Sequence, residues 1–273
     1  MAILQETYKL YNGVEIPKIG FGTWQIPQSK AEESVLYALE SGYIHIDTAL
    51  AYNNENGVGS GIKKSGLSRE DVFITTKLPA EIKGYDRAME SFEKSLVNLG
   101  VDYIDLYLIH APWPWTAIGK DCTAENISSW KAFEELYKAK KIRSIGVSNF
   151  SPKDIDALID NCEILPMVNQ IAFYAGRTQK EYVDYCNTKG ILVEAYSPLA
   201  TGRALNDPLL KNMANKYSVT VAQLLIRFTL QRDTLPLPKS TNRERIVENT
   251  KIEHFSIDQS DMDILNSLKT EYR

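Results

Sequence analysis

Cysteine is scarce in this sequence, and its three copies, Cys122, Cys162 and Cys186, are odd in number and far apart. That pattern speaks against a disulfide framework and fits reduced thiols filling small core positions in a cytoplasmic protein. No apolar run approaches the ~18–20 residues that a membrane-crossing helix needs, so no membrane partner is expected. The opening "MAILQETYKL" lacks a basic segment followed by an apolar core, and a secretory leader is not expected. Excess charge is missing too: 31 basic against 35 acidic residues leave −4, too little to argue for nucleic acid. Low-complexity tracts and Pro/Gly/Ser linkers are absent, so nothing marks an internal boundary. One domain over residues 1–273 is the expectation, since 44% hydrophobic and 24% charged residues suit an ordinary globular protein.

What is present is an alternation. After "YKLYNGVEI", whose Asn12-Gly13 signals a hairpin, short segments rich in Ile, Val, Leu and Tyr recur: "IGFGTW", "YIHIDTA", "VFITTKL", "IDLYLIH", "IRSIGVSNF", "MVNQIAF", "ILVEAYSPL" and "TLPLPKS". Segments with helical spacing separate them. "SKAEESVLYALESG" opens on Ser29 and Glu32 as a capping box and closes on Gly42. "YDRAMESFEKSLVNLG" sets Met89, Phe92, Leu96 and Leu99 on one stripe before Gly100; "ENISSWKAFEELYKAKK" and "TVAQLLIRFTLQR" read the same way. Strand and helix in alternation imply a parallel sheet with right-handed crossovers. Eight such strands predict an α/β chain folded as a (β/α)₈ TIM barrel, with an N-terminal β-hairpin and an additional C-terminal helix. A doubly wound open sheet is the competing arrangement. "GVGSG", Gly57 to Gly61, imitates a dinucleotide fingerprint, but it follows a loop and lacks the G-x-G-x-x-G spacing, so helix packing is expected of it.

In a barrel the reactive residues come from the C-terminal ends of the strands. Here those ends carry Asp47, Lys77, His110, Ser148-Asn149, Asn169-Gln170, Tyr196-Ser197 and Lys239-Ser240. Polar groups repeated at one end of apolar runs, where burial without a partner is costly, indicate a site. Asp47 and Lys77 fall on adjacent strands, so each offsets the other's desolvation. Tyr52 lies just beyond Asp47, and an ammonium beside its hydroxyl favours proton donation. His110 can hydrogen-bond a substrate oxygen, whereas His45, sharing a strand face with Asp47, is read as structural. No metal-ligand cluster and no activated nucleophile accompany these groups. Addition of hydride to a carbonyl fits best. Two rivals are a lyase or aldolase in which Lys77 forms a Schiff base and a cofactor-binding regulatory protein with little turnover.

These residues resemble the aldo-keto reductase family, NADPH-dependent carbonyl reductases, along nearly the whole chain. "GYIHIDTALAYNNENGVG", "GVSNF", "VNQI", "AYSPL" and "LPKSTNRERIVEN" stand in the family's order, and the likeness is to short microbial and protozoan members of the 2,5-diketogluconate reductase type. The resemblance implies Tyr52 as proton donor, Lys77 as the neighbour that lowers its pKa, Asp47 as the partner of Lys77, and His110 as the group that orients the carbonyl. It implies contacts to the nicotinamide carboxamide from Ser148, Asn149 and Gln170, stacking by Tyr196, and Ser197 and Leu199 along the pyrophosphate. Gly22, Thr23 and Trp24 match a segment near cofactor and substrate. Independently, Asn242 can cap a helix that carries Arg245, Glu248 and Asn249 on one face. Lys239, Ser240 and Arg245 beside that cap suit the 2′-phosphate of NADP, with Glu248 and Asn249 toward adenine. The family likeness also implies a monomer acting on a small carbonyl compound.

The chain departs from the family in its loops. Ile44 replaces an arginine. Ala111 stands where many members carry a tryptophan that walls the substrate pocket; either Trp113 and Trp115 in "APWPW" rebuild that wall from a different angle, or the pocket is wider. "NQIAFYAG" lacks the usual Glu, His and Pro, "PLATGRALND" leaves a small flap over the pyrophosphate, and "KTEYR" leaves little chain for a C-terminal substrate loop.

Overall fold

The computed structural model describes residues 3–269. Eight parallel strands pair in chain order: β3 (Phe21–Gly22), β4 (His45–Asp47), β5 (Phe73–Leu78), β6 (Ile104–Ile109), β7 (Ile142–Ser148), β8 (Val168–Ala172), β9 (Leu192–Tyr196) and β10 (Leu235–Leu237). Each of the eight apolar segments supplies one strand. Gly20 N and Gly22 N donate to Pro236 O at 3.1 Å and Pro238 O at 3.0 Å, so β3 meets β10 and the ring all but closes. Prolines have no N–H to return, and at this seam the donors come from the β3 side. The result is a TIM barrel, with the open-sheet alternative ruled out by that seam.

Strands β5, β6 and β8 are buried at every position, as strands covered on both faces must be. An outer layer of helices covers them: α1 (Gln28–Glu40), α2 (Glu55–Ser65), α3 (Tyr85–Leu99), α4 (Thr123–Lys138), α5 (Pro152–Ile159), α6 (Lys180–Thr188), α7 (Pro208–Lys216), α8 (Val221–Gln231), α9 (Arg243–Glu248) and the additional C-terminal α10 (Gln259–Ser267). None in the described residues is long and apolar enough to cross a membrane. The expected hairpin, β1 (Thr7–Lys9) with β2 (Glu15–Pro17), lies across the N-terminal mouth. Leu10 and Ile16 are buried there, and Asn12 Nδ2 donates to Arg143 O at the start of β7 at 3.0 Å. One mouth is thus plugged, and the other is left for chemistry.

The stripe on α3 faces inward as expected, with Phe92, Leu96 and Leu99 buried, Met89 half-buried, and Gly100 in the left-handed C-cap. The capping box expected at Ser29 and Glu32 does not form. The cap position falls two residues earlier, on Pro27 at φ −64°, and no side chain caps the helix. Glu32 is instead drawn to α2, where it accepts from Ser60 Oγ and from Lys64 Nζ.

The Gly-rich segment is a packing device. A Cβ on Gly57 would lie 2.7 Å from Ala31 Cβ, one on Gly61 2.7 Å from Glu32 O, and one on Gly59 only 2.1 Å from Leu99 O. Helix α2 therefore touches α1 and α3 with bare backbone. Since overpacking a tight contact costs ~1–3 kcal/mol, Gly59→Ala is expected to lower the denaturant midpoint by that order; an unchanged midpoint would contradict this packing.

Candidate active site

A cavity of about 1030 Å³ opens at the C-terminal mouth, at the top of the range for ligand pockets and larger than a small carbonyl compound requires. Asp47 ends β4, Tyr52 sits in the following 3₁₀ turn (Leu50–Tyr52), Lys77 lies one residue from the end of β5, and His110 directly follows β6. Asp47, Tyr52 and His110 line the cavity. Lys77 lies behind them, fully buried, its Nζ donating to both Asp47 oxygens at 2.8 Å, to Thr48 O at 2.7 Å and to Tyr52 Oη at 3.4 Å. The four groups read from the sequence converge.

Burial and charge compete at each of them. Burial lowers the Lys77 pKa, but the negative charge beside it, that of Asp47 first, more than offsets this, so the ammonium persists. Burial raises Tyr52 to about 12, while Lys77, next in size, pulls it down. The expected direction of the lysine's effect is present, but desolvation outweighs it, and the phenol stays protonated through neutral pH. His110 is pushed down to about 3, by burial first and then by Lys77 and Lys83. Its ring is therefore neutral, standing 5.5 Å from the Tyr52 ring at 69°. Nδ1 of His110 is buried without a hydrogen-bond partner among the described residues.

A hydrogen-bonded rim joins the remaining strand ends. Tyr196 Oη donates to Asn149 Oδ1 at 2.8 Å, Asn149 Nδ2 donates to His110 O at 3.1 Å and Ser148 Oγ at 2.9 Å, and Ser148 Oγ donates to Gln170 O at 2.8 Å. All five of these residues line the cavity, as do Gly22, Trp24, Ser197 and Leu199. Its far end is formed by Lys239, Ser240, Arg245, Glu248 and Asn249, with Asn242 capping α9 through Arg245 N at 2.9 Å. Non-glycine residues at positive φ gather on this wall, among them Gln25 (61°), Asn149 (61°), Ser197 (54°) and Thr201 (55°), the strain often found at functional sites.

Two residues expected at the site lie elsewhere. Thr23 is buried off the cavity wall and donates to Asp47 O at 3.0 Å, so it braces the end of β4. Trp113 is also absent from the wall; it packs behind Trp115, at 5.0 Å between rings, and Trp115 takes the wall position 5.9 Å from the His110 ring. The segment "NQIAFYAG" leaves Gln170 in the cavity and then turns, with Tyr174 paired to Arg177. The expected small flap, Ala200–Asn206, is made of short 3₁₀ turns broken at Thr201 and Gly202, where φ is positive, and Thr201, Gly202, Leu205 and Asn206 join the wall. The expectation of a short C-terminal loop rests on "KTEYR", of which residues 270–273 lie outside the described residues. Glu194, buried in the middle of β9 two residues before Tyr196, was not anticipated. Its only sequence signal is a carboxylate inside the apolar run "ILVEAY".

Known reductases share this fold. A model of the aldo/keto reductase family matches residues 18–270. The glyoxal reductase of Bacillus subtilis is 46% identical over 271 residues, covering 99% of this chain and 95% of that protein. The crystal structure of an aldo/keto reductase from Brucella melitensis superposes with a TM-score of 0.90 at 39% identity, covering 96% of this chain and 97% of that one. An aldo-keto reductase of Bombyx mori, solved in complex with NADP, gives 0.88 at 34% identity over 96% and 92% of the two chains. The chain belongs to the aldo/keto reductase family. It is an oxidoreductase acting on carbonyl groups.

Glu194 is the carboxyl most displaced by its surroundings, raised from 4.5 to about 8 by burial first and then by Asp47. Between these values the folded protein holds a proton that the unfolded chain has released, so stability falls as pH rises through that window. Glu194→Gln should remove this component, making wild type lose thermal stability relative to the variant from about pH 5 to 8. Parallel pH profiles for the two proteins would contradict the protonated acid.

Proposed function

We propose that this enzyme reduces small aldehydes and ketones to alcohols with NADPH, Tyr52 acting as general acid. The observation that carries this reading is the Tyr52 hydroxyl, 3.4 Å from an ammonium that both oxygens of Asp47 hold at 2.8 Å. A nicotinamide cofactor, when bound, supplies the hydride. The protein holds the reactants and delivers a proton. The neutral His110 ring donates its N–H to the carbonyl oxygen and orients it. As that oxygen gains negative charge it becomes a base, the Tyr52 proton moves to it, and Lys77 stabilises the phenolate left behind. Burial keeps the proton on Tyr52 until then, and Asp47 keeps Lys77 charged.

The residues present fit such a cofactor. The Gln170 side chain lines the cavity with both amide hydrogens engaged by protein carboxyl groups, which leaves its carbonyl oxygen free for a carboxamide N–H. Ser148 and Asn149 flank it, the Tyr196 ring offers a stacking face, and Ser197 and Leu199 run toward the flap. Arg243 is paired with Glu40, whereas Arg245 and Lys239 have no carboxylate partner among the described residues, though both border the cavity. Burial lowers the Lys239 pKa, the mark of a cation lacking an anion. With Ser240 they suit a 2′-phosphate, and Glu248 and Asn249 suit adenine. The NADP complex of the silkworm relative supports this choice. Trp24 and Trp115 line the same cavity as Tyr52 and His110, and likeness to a glyoxal reductase supports short dicarbonyl substrates. Free cysteines, two of them buried, fit the cytoplasm, and we read the protein as a monomer, which sedimentation would check.

A Schiff-base role for Lys77 is disfavoured because its ammonium is raised in pKa and engaged by Asp47, Thr48 and Tyr52. A regulatory role is separated from catalysis by Tyr52→Phe. That variant should lose ~10²–10⁴ in carbonyl reduction rate while still binding NADPH, and undiminished NADPH consumption would refute Tyr52 as the acid. Arg245→Ala should weaken NADPH by about tenfold with little change for NADH; equal weakening of both would refute the phosphate assignment.

A further inference from the structure

Gln170 is held from two sides. Its Nε2 donates to Asp47 Oδ2 at 2.8 Å and to Glu194 Oε2 at 2.8 Å. An amide nitrogen has two hydrogens, so both are used. The opposite orientation would press the amide oxygen against the Asp47 carboxylate, which can only accept, so Asp47 dictates which end faces the cavity and Glu194 holds the second hydrogen. Asp47 is already committed to Lys77. Glu194 has no such duty: it is fully buried, it is register-paired with Gln170, and its other oxygen has no hydrogen-bond partner among the described residues.

The ionisable groups around it are few. From β4 come Asp47 and His45, whose Nε2 lies 3.9 Å from Glu194 Oε1 but bonds Thr75 Oγ1 at 2.9 Å; from β5 comes Lys77. His45 is itself held at about 3, by burial and then by Lys77, so it is neutral. It is wedged against Gly20, just before β3, where an added Cβ would come within 2.6 Å of its Nδ1. Glu194 thus has no cation of its own, and burying a carboxyl group in a barrel interior is costly unless it makes a needed contact. Its one hydrogen bond is to Gln170.

We propose that Glu194 is a positioning residue for carbonyl reduction: with Asp47 it clamps the Gln170 amide so that its carbonyl oxygen faces the cavity and receives the carboxamide of the nicotinamide. This rests on the cofactor reading above. It also links two functions, because Asp47 Oδ2 accepts from Lys77 and from Gln170, each at 2.8 Å. Loosening Gln170 disturbs both the seat of the nicotinamide ring and the carboxylate that holds Lys77.

The test compares wild type with Glu194→Gln, Glu194→Met and Glu194→Ala. Binding of NADPH and of adenosine 2′,5′-bisphosphate, which lacks the nicotinamide, is measured by titration, and the rate of reduction by single turnover at saturating NADPH. Glutamine keeps an acceptor and should stay within about twofold of wild type on all three readouts; methionine and alanine, lacking it, should weaken NADPH about three- to tenfold, the worth of one net hydrogen bond. Their single-turnover rate should fall, while the bisphosphate binds unchanged. Methionine or alanine variants that bind NADPH and turn over like wild type would overturn the proposal, as would equal weakening of both ligands. If one variant fails to fold, the other decides by the same readouts. Wild type that binds the bisphosphate but gains nothing from the nicotinamide half of NADPH would refute the cofactor reading instead.

Discussion

The site depends on one buried ion pair. The Lys77 ammonium is fully enclosed at the end of β5, and Asp47 on the neighbouring strand meets it with both oxygens at 2.8 Å. Removing one member of such a pair leaves an unpaired charge in the interior and typically costs ~3–5 kcal/mol. The pair therefore needs the barrel, which sets β4 beside β5 in fixed register, with Asp47 opposite Thr75. Thr23 braces the β4 end, and the seam between β3 and β10 keeps that strand in the ring.

Around the pair, burial drives the other ionisable groups to their neutral forms. Tyr52 is pushed up, His110 and His45 are pushed down, and Glu194 is pushed up, each chiefly by loss of water. At this end of the cavity the field on a bound carbonyl is consequently set by Lys77 and Asp47. A neutral phenol with a fixed ammonium behind it is suited to give up its proton only when a stronger base, the nascent alkoxide, appears in front of it. Lys239 and Arg245, without a carboxylate partner among the described residues, border the same cavity.

Much of this was legible in the residues. Alternating segments named the strands, polar residues following apolar runs marked the open mouth, and Asn242 announced the start of α9. These signals are local, or repeat with the chain's own period. What escaped depends on contacts made through space. Glu32 forsakes its own helix terminus for Ser60 and Lys64 on α2. Thr23 and Trp113 sit beside site residues in sequence yet lie off the cavity wall, because Thr23 bonds the Asp47 carbonyl and Trp115 takes the wall position. The net shift of Tyr52 follows from how much protein surrounds it, a quantity that no spacing reveals. Glu194 looked like one charge in an apolar run until Gln170 was placed against it.

The most direct test titrates the phenol itself. With Cζ-labelled tyrosine, and the Tyr52 resonance assigned through its loss in the phenylalanine variant, the hydroxyl is followed by NMR in wild type and in a variant where Lys77 and Asp47 are both replaced by apolar residues. The account predicts that Tyr52 ionises at higher pH once the pair is gone, since Lys77 is the largest influence lowering it. Ionisation at the same or a lower pH would contradict the claim that this ion pair governs the acid.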